Sequence, residues 1–153
     1  MTQPSTTKAT ATVRATHRYD ASPERVFDAW LDPAIAGRFL FATPTGQMIK
    51  AEIDPRVGGR FNFTDRRPDM GPNGGDVEHV GTYIEIDRPR RLVFDFAVPK
   101  YEATLTRITL DFAPSGSGCD LTLTHEGVFE EYVKQTEGGW AMILGNLEKA
   151  LAA

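Results

Sequence analysis

The sequence predicts an α+β domain in which a curved antiparallel sheet of six or seven strands wraps a long C-terminal helix, with two short helices after the first strand. Three observations lead there. In residues 137–153 an apolar stripe made of Trp140, Ile143, Leu144, Leu147 and Leu151 repeats at helical spacing, so one face needs a partner surface. The middle of the chain consists almost wholly of short strand-like segments, so that surface is a sheet. Short turns join those segments, and parallel neighbours would need crossovers of about a dozen residues, so the ladders are antiparallel. A sheet wrapped around one helix seldom closes onto it along its whole length, and the unfilled end is a natural place for a small ligand.

The first strand is read from Val13, Ala15, His17 and Tyr19 alternating with Arg14, Thr16 and Arg18. It stops at Asp20. Ser22, Pro23 and Glu24 then supply an N-cap, a proline at the first helical position and a first-turn acid, opening a helix with Val26, Phe27 and Trp30 on one face. Asp32-Pro33 repeats the device. The first helix therefore ends near Leu31 and a second short one begins, carrying Ile35 and Phe39.

Strands are expected over residues 48–53, 60–64, 77–86, 91–98, 104–112 and 119–126, punctuated by Gly58-Gly59 and by Pro72-Asn73-Gly74-Gly75. In the last hairpin, a four-residue turn over residues 114–117 places Phe112 opposite Cys119, Leu110 opposite Leu121, Ile108 opposite Leu123 and Thr106 opposite His125. A one-residue slip would mix core and solvent positions on both faces. His125 therefore points inward. The hairpin around Asp87 sets Tyr83 across from Phe94 and Gly81 across from Phe96, with the aromatic face inward because rings carry most of the buried area in small cores.

With 153 residues and 41% hydrophobic content, the chain supports one core and one domain over residues 11–153, preceded by a Thr-rich, disordered tail over residues 1–10. A formal net charge of -4 with scattered Lys and Arg lacks the footprint of a nucleic-acid binder. Arg88, Arg90 and Arg91 read as solvated turn charge. Cys119 is the single cysteine, the first dozen residues have no apolar signal core, and no run reaches the ~20 apolar residues of a membrane span. A cytoplasmic protein without membrane partners is expected.

His17, His79 and His125 sit on three separate strands without metal-ligand spacing, so no metal is expected. His125 and Glu126 are adjacent on a strand and point to opposite faces, so they cannot share a cavity as an acid–base pair. No nucleophile elbow or phosphate-binding glycine loop is present, and no cofactor is expected. The candidate cavity lining is Trp30, Phe39, Phe61, Phe63, Tyr83, Phe94, Phe96, His125, Trp140 and Leu144, with His17 and His79 as further polar contacts. Most of the rings should be core, with a subset lining a pocket.

Taken in order, residues 21–30 (Ala-Ser-Pro-Glu-Arg-Val-Phe-Asp-Ala-Trp), Asp32-Pro33, Gly58-Gly59-Arg60-Phe61, Gly81-Thr82-Tyr83, Leu123-Thr124-His125-Glu126-Gly127 and Gly139-Trp140 with Leu144, Leu147 and Leu151 form a specific set. The set resembles the heat-shock-protein-90 ATPase activator homologue family, within the SRPBCC superfamily of START domains and the birch pollen allergen, over residues 12–152. The resemblance implies a helix-grip fold with a cavity between sheet and C-terminal helix. It also implies that the first and last strands are neighbours, which would bring His17 and His125 together on the concave face. Three functions are compatible with it. The first is a module binding a small apolar or aromatic ligand; the second is a module contacting a chaperone; the third is a cyclase- or hydratase-like enzyme using His125, His17 or Tyr83. A homodimer is compatible with each.

Overall fold

The structure, a computed structural model, describes residues 9–40, 46–67, 75–100 and 102–152. Residues 1–8 of the expected tail, the predicted turn residues Pro72, Asn73 and Gly74, and Ala153 at the end of the predicted helix lie outside them. The elements run β1 (Thr10–Tyr19), α1 (Pro23–Ala29), α2 (Pro33–Phe39), β2 (Gln47–Ile53), β3 (Arg60–Arg66), β4 (Asp76–Asp87), β5 (Arg91–Val98), β6 (Glu102–Ser115), β7 (Gly118–Phe129), a 3-10 turn (Glu130–Tyr132) and α3 (Val133–Ala152). β1 opens at Thr10, earlier than the alternation alone predicts. α3 starts at Val133, one turn before the predicted start at 137, because the chain enters it directly from the 3-10 turn.

Seven antiparallel strands form one sheet in the order β1-β7-β6-β5-β4-β3-β2, with the first and last strands side by side. The helix caps follow the predicted chemistry: Ser22 accepts from the Arg25 N–H and Asp32 from the Ala34 N–H, each followed by proline in the first turn. Phe27 of α1 meets Phe112 edge-on at 5.2 Å, and Trp30 meets Phe39 of α2 at the same distance. α3 buries its whole predicted stripe against the concave face. Tyr19 of β1 also donates to the Leu144 carbonyl at 2.8 Å, fixing the helix along the sheet.

One register differs from expectation. The β6–β7 turn holds two residues instead of four, so Phe112 opposes Leu121, Leu110 opposes Leu123 and Ile108 opposes His125. Gly116, at φ 59°, takes the left-handed conformation that so tight a turn demands. The shift is by two residues, which preserves which side chains face inward, so His125 is buried as expected. In β4–β5, Tyr83 does oppose Phe94. The same register sets Gly81 opposite Phe96 as expected, and the ring lying over Gly81 is Phe61 of β3: a Cβ at Gly81 would sit 2.5 Å from that ring. Arg88, Arg90 and Arg91 are each paired, with Asp28, Asp87 and Asp111; the Arg88 fork at 2.7 and 2.9 Å ties the β4–β5 turn to α1.

Candidate functional site

The concave face divides into two parts. Toward α2 and the inner faces of β3 and β4 it is filled, while a separate recess of about 280 Å³, lined by Arg18, Tyr19, Arg25 and Glu148 among others, lies between the end of β1 and the end of α3. Trp30, Phe61, Phe63, Tyr83 and Phe94, with Leu40 and Leu92, surround a void of about 10 Å³, and the rings of Phe61, Phe63, Tyr83 and Phe94 are interlocked at 5.3–6.1 Å. Such a void is barely the size of one water. Phe39 and Leu144 are likewise buried in this core. The Trp30 indole N–H, buried there, has no hydrogen-bond partner among the described residues.

At the other end, β5, β6 and β7 diverge from the first turns of α3 and leave a cavity of about 340 Å³. At ~30 Å³ per water that is room for about eleven molecules, and it lies at the low end of the range for small-molecule sites. Phe96, Ala97 and Val98 of β5, Thr104 and Thr106 of β6, and His125, Gly127, Val128 and Phe129 of β7 form the walls. Tyr132, Gln135 and Thr136 close the helix side, and Arg67, just beyond β3, contributes a charge. Gly127, at φ 85°, breaks the alternation of β7. His125 and Val128, three apart, consequently both face the interior, where strict alternation would send Val128 outward.

His125 is held from both sides. The Trp140 indole N–H donates to Nδ1 at 3.0 Å. An indole nitrogen can only donate, so Nδ1 accepts and the ring proton sits on Nε2, which donates to the Thr106 hydroxyl at 2.7 Å. Thr106 passes its own proton to the Phe96 carbonyl at 3.1 Å. The rings of Phe96, His125 and Trp140 contact one another at 5.8–6.4 Å, and His79 stacks on Phe96 at 6.2 Å, 13° from parallel. These four rings form the floor beneath the cavity. Burial pushes the pKa of His125 and of His79 down to about 4, and the His79 Nδ1 donates to the Phe63 carbonyl at 3.1 Å. Both are neutral at physiological pH. Burial also raises the Tyr83 phenol, and pushes the Cys119 thiol up to about 11, so neither ionises readily.

Phe96 and His125 thus line the open cavity, and Trp140, itself buried, orients His125 from behind. His17 is elsewhere. It lies across from Leu121, whereas Val13 is the residue across from His125, so the expected approach of His17 to His125 does not occur. His17 instead meets Glu148 of α3 at 2.6 Å and packs on Tyr19. Among the described residues no three His, Cys, Asp or Glu side chains converge to hold a metal. Arg67, Val128 and the helix-side residues were not among the predicted lining. A signal for Arg67 exists nonetheless, because Phe61, Phe63, Asp65 and Arg67 alternate along one inward face, and charges that extend an aromatic face read as an internal ion pair.

The family model described as Activator of Hsp90 ATPase homolog 1-like protein matches residues 20–152. No curated protein matches the chain. Among solved structures, a protein of Chromobacterium violaceum is 23% identical with a TM-score of 0.80, covering 93% of this chain and 97% of that one. A Rhizobium loti protein is 26% identical at a TM-score of 0.75, covering 94% and 99%. The AHSA1-like protein of Aeromonas hydrophila is 22% identical at 0.74, covering 92% of each chain. These likenesses establish the helix-grip fold.

Proposed function

The chain belongs to the Activator of Hsp90 ATPase homolog 1-like family, and from that membership together with its open cavity we propose that it is a binding protein for a small apolar or aromatic molecule. The observation that carries this reading is the contrast between the two ends of the concave face: about 10 Å³ at one and about 340 Å³ at the other. A core this well packed at one end has the means to fill the other, and space left beside a rigid aromatic floor favours a guest. The family description names an ATPase activator, an activity that would call on a surface contact; the cavity favours ligand binding over it.

Enzymatic use of His125 is disfavoured by its bonding. Its acceptor nitrogen is occupied by Trp140 and its donor by Thr106, so taking a substrate proton would require breaking the relay. The reading is tested with 1-aminoanthracene, a neutral aromatic fluorophore, titrated into the full chain. Saturable enhancement is expected, weakened by about tenfold or more in Thr136→Trp, which fills the cavity from the helix side. Binding unaffected by that substitution would place the probe elsewhere and contradict the proposal.

A further inference from the structure

We propose that the occupant of this cavity is an amphipathic monocarboxylic acid, its carboxylate seated on Arg67 and its apolar body lying against Phe96, Val98 and Val128. This inference rests on the cavity being a binding site and adds the chemistry of its guest.

Arg67 is the charged residue among those lining the cavity; the remaining lining is apolar or neutral, with no Asp or Glu among the described residues. Its side chain is 23% exposed, and its Nε donates at 2.8 Å to Asp65, which is fully buried. That bond uses one of five guanidinium donors. The two Nη groups, four N–H donors in a planar fork, make no hydrogen bond within the described residues. A planar fork matches a carboxylate in two parallel bonds, a fit that an ammonium or a hydroxyl does not offer. The backbone holds the base of the side chain as well, since the Arg67 N–H donates to the Gly75 carbonyl at 2.6 Å. Asp65 therefore acts as a pin, fixing the guanidinium at the cavity instead of letting it swing into solvent.

The rest of the wall decides against other guests. Thr106 and His125 have already committed their hydrogen bonds to Phe96 and Trp140, so the floor beside Arg67 offers the guest mainly ring and aliphatic surface. A cationic guest would meet the Arg67 guanidinium, with no carboxylate among the described lining residues to receive it. A guest with one acid group at one end and an apolar body uses both features.

The test compares 2-naphthoate with 2-naphthalenemethanol, which shares the ring and lacks the charge, by calorimetric titration of the full chain at neutral pH. The acid is expected to bind about tenfold tighter or better, as a charge-assisted bidentate contact would give. Arg67→Gln alone would remove the guanidinium that pairs with the buried Asp65 carboxylate, so the variant is Asp65→Asn with Arg67→Gln, its folding verified by circular dichroism. Arg67→Lys provides a second, charge-conserving comparison. The preference for the acid should vanish in the double variant, with the alcohol's affinity kept within about twofold, and should be reduced in Arg67→Lys, which keeps the charge but loses the fork. Equal affinity for acid and alcohol in the unaltered chain would overturn the assignment of the guest while leaving the binding reading intact. A preference that survives in the double variant would overturn it too, by moving the anion seat elsewhere. If neither compound binds, both readings fall.

Discussion

At His125, protonation would set a ring N–H at Nδ1 against the Trp140 indole N–H, two donors facing one another in a buried site. The lowered pKa makes this a statement about stability. The unfolded state takes up the proton near the ordinary value of 6.5 and the folded state near 4, so between those values the unfolded chain binds more protons and stability falls as pH falls. His79 behaves in the same sense. Each histidine should contribute a slope of up to ~1.4 kcal/mol per pH unit below pH 6.5, a loss of about 3 kcal/mol by pH 4. Urea unfolding at pH 5 to 7 should show this slope, reduced by one proton's worth in His125→Gln; a variant that keeps the full slope would refute the relay. Sequence alternation made the inward direction of His125 legible. Its partners were not, because Trp140 and Thr106 lie on other elements and reach it through the curvature of the sheet.

Among the elements, α3 was the most readable and the β6–β7 hairpin the least. The apolar stripe of α3 depends on spacing alone, and all five stripe residues are buried. Leu144 lies in the filled core, so Leu144→Ala should cost 2–5 kcal/mol by thermal or urea unfolding while leaving ligand affinity nearly unchanged. Gly145 on the same helix has no packing reason to be glycine, since a Cβ there meets nothing within 4 Å. Gly145→Ala should therefore stabilise by about 1 kcal/mol, read as a raised midpoint in urea. The hairpin register was predicted two residues off because a two-residue and a four-residue turn leave the same side chains inward, and burial pattern cannot separate them. Gly127 had a similar effect at the cavity. Its left-handed backbone turns Val128 inward, and nothing in the hydrophobic alternation announces a bulge. Gly127→Ala should strain the strand at this point and weaken 1-aminoanthracene binding more than it lowers stability.

For the molecule as a whole, the helix-grip architecture follows from two facts the sequence carries openly: one terminal amphipathic helix and seven short strands with tight connections. What remained hidden was where the sheet fails to close. The predicted lining gathered the large rings, and most of those rings fill the end of the concave face covered by α1 and α2. At the open end the rings of Phe96 and His125 are joined by smaller residues, Ala97, Val98, Thr104 and Val128, and by the Arg67 guanidinium. Space is created by what residues lack, and spacing patterns report only what they have. No helix among the described residues is long and apolar enough to cross a membrane.

The central claim, that the open end of the sheet is the binding site, is tested most directly by amide chemical-shift mapping of the full chain titrated with 2-naphthalenemethanol. Saturable shifts are expected at Phe96, Ala97, Val98, His125, Val128, Gln135 and Thr136, with Trp30, Phe61 and Tyr83 unmoved. Shifts centred on those last three, or none at saturating ligand, would contradict that claim.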